Sequence, residues 1–477
     1  MRRLQVNNRP PRCARPRSSG SCDDSPDSPT PEGDGTVHDR SLTIGDHAFL
    51  AFTRRFPGEF LDVGALLYVG GPPLDLSALR AHVADRLRLA PHLTEQLHSV
   101  ASPPRDCRGR GSQAEQTSLR WAPRGDVNVD DHVVVTAVRE GTGDDGLRRA
   151  IDRLATQPID LGRPPWMLHL LRGHSAEGTL VLYRASHAHQ DGGALYRALH
   201  LLFGEDDETG VALPQAFPAP RPGDYLRLAG RNLQGLAPTR ALAAWGGPAR
   251  GPARHTWVTT ELDALRQIAR RHSVTVNDVY LATIAGALRQ WSLLEWHRPH
   301  RPIHALMPIS IRTSAEQELL SNFTTGVRIA LPCGEPDPVR RLARVAARTR
   351  RLKRGGGLGV VERRHLALAE LPPYASQRFL AHAASSGART REVALVASNP
   401  GHLRCRLAVA GRPVTGLVGL PPLFVGRQHL SVALFGYGEH AHATFTASAS
   451  VPGHETLPDL WLAELGVLAE LAGPRPR

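Results

Sequence analysis

The segment from Ser186 to Gly192, Ser-His-Ala-His-Gln-Asp-Gly, constrains this chain more than any other part of it. Apolar residues over 179–183 predict a buried strand before it, and leucines at helical spacing predict a helix after it, ending near Phe203. The segment therefore lies where a strand turns into a helix, and Gly192-Gly193 allows a sharp backbone turn. Such a turn can hold a side chain rigidly at the floor of a cleft, as a general base requires.

The spacing His-x-x-x-Asp-Gly makes His187, Asp191 and Gly192 candidate catalytic residues. The alternative is structural, with Asp191 capping the following helix and His187 packed in a core. A three-residue pattern of this kind arises by chance in on the order of one in ten chains of this length. The motif alone therefore leaves both interpretations open.

The net charge of +13 and the pI near 10.4 raise the question of a nucleic-acid partner. The basic residues are almost all arginines, Lys353 being the only lysine, and they are dispersed rather than arranged along one helix with aromatic residues between them. This pattern disfavours nucleic acid. Anionic surfaces such as phospholipid headgroups, or the phosphates of CoA, fit the charge at least as well.

The five cysteines are scattered without a C-x-x-C pair, which indicates a reducing cytoplasm rather than a disulfide framework or a thiolate metal site. The pairs His187/His189 and His440/His442 could each share a strand face, but neither has a carboxylate-rich complement, so no metal is predicted. No apolar run approaches the roughly 18 to 20 residues that span a bilayer, and no signal peptide is predicted.

Strands and helices interleave along the chain, which predicts an α/β or α+β class. We expect a disordered tail over 1–40, a first domain over 41–203, a linker over 204–254 and a second domain over 255–473. Within the linker, residues 225–245 could form a membrane-surface helix or, the favoured alternative, a helix packed on a domain. The main predicted strands are 166–172, 179–186, 303–311 (broken by Pro308), 430–437 and 443–449, and the main helices are 76–89, 261–271, 279–294 (capped by Thr275) and 459–471.

Six short motifs, each weak alone, together resemble the bacterial wax ester synthase/acyl-CoA:diacylglycerol acyltransferase family. They occur in the family's order, and the resemblance extends from about residue 41 to 473. The motifs are Asp46-x-Ala48-Phe49-Leu50, Pro164-Pro165-Trp166 with the preceding 159–163, Ser186-His187-x-x-x-Asp191-Gly192, Thr275-Val276-Asn277-Asp278-Val279, Pro308-Ile309-Ser310-Ile311-Arg312 and Ser398-Asn399-Pro400-Gly401.

The resemblance implies a two-domain α/β fold like that of chloramphenicol acetyltransferase, a CoA-dependent acyltransferase, with a tunnel between the domains. It also implies an O-acyltransferase that moves a fatty acyl group from CoA to diacylglycerol or a long-chain alcohol. Acyl-CoA would be the co-substrate, with no cofactor. The lipid products suggest peripheral contact with the inner face of a membrane or with lipid inclusions, and no nucleic acid is expected.

In this scheme His187 is the general base, which typically contributes about 10²- to 10⁴-fold. Asp191 would orient the loop rather than exchange protons, and backbone N–H groups near Gly192 or the Ser310 hydroxyl could hold an oxyanion. Trp166 and the 279–288 helix could line the acyl chain, although a packed core explains them equally well. The supporting or substrate-binding candidates are Pro165, Trp166, Asn277, Asp278, Ser310 and Arg312.

One departure from the family pattern is Ser186, which stands where the motif has its first histidine. Neighbouring strand residues face opposite ways, so this change should mainly alter packing. Two other functions stay open: acyl transfer onto a polyketide, sugar or peptide scaffold, and lipid binding by a catalytically decayed homologue.

Overall fold

The computed structural model describes residues 39–56, 61–101, 117–174, 178–206, 213–235, 238–296, 302–354, 357–365, 393–424 and 428–471. The predicted disordered tail lies outside these ranges except for its last two residues, of which Arg40 begins the first strand.

The strands form one three-stranded and two six-stranded sheets. In chain order they are β1 (Arg40–Ser41), β2 (Asp62–Val69), β3 (Glu95–Ala101), β4 (Thr117–Pro123), β5 (Val133–Ala137), β6 (Trp166–Arg172), β7 (Thr179–Ser186), β8 (Ala253–Glu261), β9 (Ile303–Ser310), β10 (Thr324–Leu331), β11 (Leu395–Leu403), β12 (Ala408–Val409), β13 (Arg412–Leu420), β14 (Leu430–Tyr437) and β15 (His440–Ser448).

The helices flank the two large sheets. They are α1 (Ile44–Arg55), α2 (Leu76–Leu87), α3 (Val129–His132), α4 (Gly143–Leu154), α5 (Gly192–Phe203), α6 (Pro222–Gly235), α7 (Leu262–Arg271), α8 (Val276–Trp291), α9 (Pro338–Arg354), α10 (Val360–His365) and α11 (Leu457–Leu471).

The first six-stranded sheet has the order β12-β13-β2-β7-β6-β5. The leucines of α5 and α2 bury against one face, and α4 covers the other through Leu147 and Ile151. Only β5 and β6 run parallel, and the remaining neighbours are antiparallel. The end of β7, buried at the centre of this sheet, therefore has a fixed position from which the candidate motif begins.

The second six-stranded sheet has the order β10-β9-β11-β14-β15-β8 and carries α7, α8, α9 and α11. Helix α8 is buried on all sides from Asp278 to Leu288, because its apolar residues meet both the sheet and the neighbouring helices. Thr275 caps it in a capping box with Asp278, as the sequence predicted.

The chain crosses from the second large sheet to the first after β11. Strands β12 and β13 follow β11 of the second sheet in the chain, yet β13 pairs with β2 of the first, Val418 opposite Leu66. The predicted second domain, 255–473, thus contributes an edge to the sheet of the first. A side chain at Gly419 of β13 would occupy the place of the Phe435 ring of β14, so the two strands are closely packed at this point. The domain boundaries themselves stay predictions.

Most of the predicted elements are confirmed within a few residues, including β6, β7, α5, α7, β14, β15 and α11. The predicted break at Pro308 is wrong, because β9 continues to Ser310 with Pro308 opposite Gly326. On its other side β9 pairs with β11 only at Ala305 and Leu306, so the missing N–H of Pro308 interrupts no ladder there.

The linker helix is shorter than predicted. Helix α6 ends at Gly235, and the next regular element is a 3₁₀ turn at Ala243–Trp245. Within the described ranges, none of the helices combines the length and apolar character needed to traverse a bilayer.

We expect Gly286→Ala to lower the free energy of unfolding by about 1–3 kcal/mol. The new Cβ would lie 2.7 Å from Cγ of Glu464, whose carboxylate is held in the core by Arg341 and Gln290 and cannot move freely. Gly466→Ala is the matched control, since nothing lies within 4 Å of that Cβ. Urea denaturation measures both, and an equal effect of the two substitutions would contradict the packing argument.

Candidate active site

The turn between β7 and α5 presents His187. The strand ends at Ser186, the His187 N–H donates to the Leu61 carbonyl at 2.8 Å, and Asp191 is the N-cap of α5. The Asp191 carboxylate accepts the Ala194 N–H at 2.8 Å. The strand–turn–helix context predicted from the sequence is confirmed, and the cap fixes the loop that carries the histidine.

Asn322, which immediately precedes Phe323 and β10, contacts His187 from the second half of the chain. Its Nδ2 donates to the His187 carbonyl at 2.8 Å and to Asp46 Oδ1 at 2.9 Å. Its Oδ1 therefore remains to accept the Nδ1–H of His187, 3.1 Å away. The reversed amide would face two acceptors with its oxygen, so we assign the Nδ1–H tautomer, which leaves a lone pair on Nε2.

Asp46 holds the amide of Asn322 in this orientation. Its buried carboxylate also accepts the Asn322 N–H at 3.0 Å, the Ser321 hydroxyl at 2.8 Å and the Trp121 indole N–H at 3.1 Å. The same side chain closes the capping box of α1 with Thr43. The start of α1 and the segment before β10 are thus one hydrogen-bonded unit around the imidazole.

The His187 ring is half-buried and stacks on Phe49, with ring centroids 4.0 Å apart and an interplanar angle of 21°. Burial lowers the pKa of His187, although the carboxylates of Asp191 and Asp46 and the hydrogen bond to Asn322 oppose the shift. The imidazole is consequently neutral near pH 7, the form that can accept a proton.

Asp191 forms a buried ion pair with Arg312, the arginine that ends the Pro-x-Ser-x-Arg stretch, at 3.3 Å. It also accepts the Phe323 N–H and the Thr324 hydroxyl, both at 2.8 Å. Burial alone would raise the pKa of Asp191, but the Arg312 guanidinium and the hydrogen bonds hold it below its usual value. The carboxylate stays ionised and joins the two halves rather than exchanging protons.

Arg312 organises the segment that presents Asn322. Its guanidinium donates to the carbonyls of Glu316 and Leu319, both at 2.6 Å, and to that of Ser321 at 2.7 Å. One buried side chain therefore satisfies three carbonyls of an irregular segment and anchors it to Asp191.

Gly192 begins α5 against the part of β11 where its register with β14 shifts, between Ser398 and Gly401. A Cβ at Gly192 would lie 3.3 Å from Pro400, so a side chain there would crowd the contact. Asn399, next to Pro400, donates to Asn277 Oδ1 at 3.4 Å. Asn399 and Pro400 of the Ser-Asn-Pro-Gly stretch therefore connect Asn277, at the start of α8, with Gly192, at the start of α5.

Three other candidates have hydrogen-bond partners other than the His187 imidazole. Asp278 is buried as the α8 cap and accepts the Thr349 hydroxyl, and Ser310 is exposed, its Oγ accepting the Arg312 N–H. Trp166 is fully buried in the first core and donates to the Leu93 carbonyl. Trp166 therefore fits a structural role in the core, because its indole N–H already has a hydrogen-bond partner among packed residues.

Pro165 precedes Trp166, and its carbonyl accepts the Ser186 N–H at 2.9 Å, so it supports the end of β7. Trp166 also borders a cavity of about 200 Å³ together with His169 and Arg184. His187 does not line this cavity.

His189, the other histidine of the motif, is fully buried and bonds to Glu95 at 3.2 Å. Burial would raise the pKa of Glu95, but hydrogen bonds from His189 and His92 and the Arg40 guanidinium hold it well below its usual range. Within the described ranges no cluster of three or more histidine, cysteine or acidic residues could hold a metal ion.

Ser186 has a local role in the turn. Its Oγ accepts the Ala188 N–H at 3.3 Å, and its backbone pairs with Asp62 of β2. It is not among the hydrogen-bond partners of the His187 ring.

Sequence reasoning missed the importance of Asn322 and assigned no role to Asp46 or Phe49, although the latter two lie in a quoted motif. Asn322 is 135 positions away from His187. No spacing rule relates such distant residues, and the only signal was an unusual polar pair, Ser321-Asn322, between apolar neighbours.

Comparisons with known proteins cover most of the chain. Residues 70–246 match the model of the wax ester synthase/diacylglycerol acyltransferase catalytic domain, and residues 320–466 match that of the WS/DGAT C-terminal domain. The Mycobacterium tuberculosis protein named "Probable diacyglycerol O-acyltransferase tgs1" is 24% identical over 440 residues, which cover 86% of this chain and 91% of that protein. Its tgs2 counterpart is 29% identical over 264 residues, 48% of this chain and 57% of that protein.

Solved structures share the fold. The wax ester synthase/diacylglycerol acyltransferase of Marinobacter aquaeolei VT8 superposes with a TM-score of 0.60 at 19% identity, covering 91% of this chain and all (100%) of that one. The starter condensation domain of rhizomide synthetase, in complex with C8-CoA, gives a TM-score of 0.58 at 13% identity, covering 92% and 95% of the two chains. The two-domain acyltransferase fold expected from the motifs is confirmed.

We expect Arg312→Met to lower the free energy of unfolding by about 3–5 kcal/mol, because it leaves the Asp191 charge buried without its counter-ion. Arg88→Met, which breaks the exposed pair with Asp85, is the control and should cost less than about 1 kcal/mol. Urea denaturation of both variants tests this, and a cost for Arg312→Met as small as the control's would refute the anchoring role.

Proposed function

We propose a reaction for this chain on the premise that it belongs to the wax ester synthase/diacylglycerol acyltransferase family. The reaction is the transfer of a fatty acyl group from acyl-CoA to the hydroxyl of diacylglycerol or of a long-chain alcohol. The observation that carries the proposal is the His187–Asn322 pair, which leaves Nε2 of a neutral imidazole as an acceptor for a proton. The names of the relatives support the lipid acceptor.

In the first step His187 Nε2 accepts the proton of the acceptor hydroxyl while the oxygen attacks the thioester carbonyl carbon. The imidazolium that forms is stabilised by Asn322, which accepts from Nδ1–H, and by the nearby Asp191 and Asp46 carboxylates. No acyl-enzyme is required, so neither a serine nor a cysteine nucleophile is needed.

In the second step the tetrahedral intermediate collapses, the carbon–sulfur bond breaks, and the imidazolium returns the proton to the CoA thiolate. The ester and free CoA are the products, and His187 ends neutral as it began. The backbone N–H groups of Gly192 and Gly193 at the start of α5 are our candidates for stabilising the oxyanion, aided by the helix N-terminus. Ser310 is a second candidate, because its Oγ accepts the Arg312 N–H and its O–H can still donate to an oxyanion.

The substrates and products are lipids, so we place the reaction at a lipid surface on the cytoplasmic side, with peripheral attachment to the membrane or to lipid inclusions. The high net charge of +13 supports contact with anionic headgroups. The two family models favour the lipid acceptor over transfer to a polyketide, sugar or peptide scaffold.

We expect His187→Gln to reduce kcat about 10²- to 10⁴-fold with palmitoyl-CoA and either diacylglycerol or hexadecanol, because the proton acceptor is lost. Release of the CoA thiol gives the rate. His174→Gln is the control, since that histidine lies at the β6–β7 turn beside Asp144. Absence of thiol release by the wild type with both acceptors would contradict the proposed function.

We expect Asn322→Ala to reduce kcat about ten- to a hundredfold with little change in KM, because the ring loses its orienting partner. The pH dependence adds a second readout. Activity of the wild type should fall as pH drops below an apparent pKa under 6.5, because protonated His187 cannot act as base. The hydrogen bond to Asn322 raises the pKa of His187. The Asn322→Ala variant lacks this bond, so the acid limb of its pH profile should move to lower pH.

Asn128→Ala, which removes an exposed amide that accepts the Asp130 N–H, is the matched control. A purely structural role of Asn322 predicts lower stability with an unchanged acid limb, and that result would contradict the assignment.

A further inference from the structure

Helix α6 turns its apolar side to solvent. Pro222, Tyr225, Leu226, Ala229 and Leu233 form one stripe at helical spacing, and all five are exposed. Leu226 and Leu233 are 75% and 69% exposed, values far above those of a core-facing stripe. A surface helix ordinarily buries its apolar side, so this orientation requires an explanation outside the described chain.

The polar side of α6 accounts for the orientation. Asp224 caps the start of the helix by accepting the Arg221 N–H, and its side chain lies against Gly357. Arg231 pairs with Glu362 of α10 at 2.7 Å. Asp224 and Arg231 therefore attach α6 to the protein, which leaves Leu226 and Leu233 on the outward side.

A cationic stripe lies on a neighbouring helix. Ala347, Arg350, Arg351 and Arg354 are spaced at i, i+3, i+4 and i+7 along the exposed side of α9. Among the described residues no carboxylate pairs with these three arginines, in contrast to Arg344, which pairs with Glu335. The helix C-terminus favours cations in this position but does not explain the adjoining leucines.

One end of the α9 arginine stripe lies near the start of α6. Arg354 precedes Gly357 by three residues, so their Cα atoms are at most about 11 Å apart. Gly357 in turn contacts Asp224, the residue before Tyr225. The Arg354 side chain is thus within reach of the start of α6, and Arg350 and Arg351 follow about one turn back along α9.

We propose that the α6 apolar stripe and the α9 arginines form a docking surface for an anionic phospholipid membrane. Exposed aliphatic and aromatic side chains insert at the headgroup boundary, and adjacent cations bind headgroup phosphates. The inference rests on the proposed function, since a lipid acyltransferase must reach acceptors held in a membrane. Positive charge that meets no carboxylate of the described residues, beside the apolar stripe, favours this occupant over a neutral protein partner.

The test is sedimentation of the full chain with vesicles of phosphatidylglycerol and phosphatidylcholine, compared with phosphatidylcholine alone. We expect binding to the anionic vesicles that weakens with salt. The Leu226→Ser/Leu233→Ser variant and the Arg350→Gln/Arg351→Gln/Arg354→Gln variant should each bind at least about tenfold more weakly. All substituted side chains are exposed, and an unchanged unfolding midpoint verifies folding.

Two matched controls remove the same groups elsewhere. Leu293→Ser/Leu294→Ser deletes two leucines that are 56% and 89% exposed, and Arg139→Gln/Arg149→Gln/Arg266→Gln deletes three exposed arginines. Both should retain binding. Equal loss in the controls, wild-type binding in the stripe variants, or equal binding to neutral vesicles would overturn the proposal.

A second copy of the chain is the other occupant to test. If sedimentation equilibrium shows a wild-type dimer that Leu226→Ser/Leu233→Ser dissociates, the stripe is a self-interface and the proposal is wrong. Turnover of palmitoyl-CoA with hexadecanol dispersed in detergent is measured without vesicles. Its absence contradicts the proposed function, whereas vesicle binding tests the docking surface alone.

Discussion

The arrangement around His187 depends on the hydrogen bonds of one asparagine. Asn322 has two donors and one acceptor oxygen, and the protein assigns each of them: the donors to Asp46 and the His187 carbonyl, the acceptor to the imidazole. Rotating the amide would break all three interactions at once. A neutral side chain thereby fixes both the ring orientation and its tautomer, without placing a further charge next to the base.

Two buried carboxylates support that asparagine from different directions. Asp46 binds it directly, whereas Asp191 acts through Arg312, whose guanidinium holds the carbonyls of the segment before Asn322. The segments concerned belong to both halves of the chain. Breaking either anchor would therefore loosen the imidazole as well as the junction, so stability and the proposed catalysis depend on the same contacts.

Local patterns predicted much of the architecture. The β7–turn–α5 unit followed from an apolar run, a motif and leucines at helical spacing, and α8 followed from Thr275 with Asp278 in its first turn. These signals connect residues that are only a few positions apart, and at that range periodicity and capping determine the local structure. The strand break predicted at Pro308 failed because a proline is tolerated where the neighbouring strand does not pair, which depends on sheet order.

The sequence by itself determined the candidate base and the local structure that holds it: a histidine at the end of a buried strand, an aspartate cap and a glycine at the first helical position. Only the tertiary structure decided which partner the imidazole meets, that Trp166 belongs to a core, and that α6 turns Leu226 and Leu233 outward. The physical reason is the separation along the sequence over which each interaction acts. Caps and periodicity act between residues a few positions apart, whereas the partners of a buried amide or an exposed stripe are chosen by how distant segments pack.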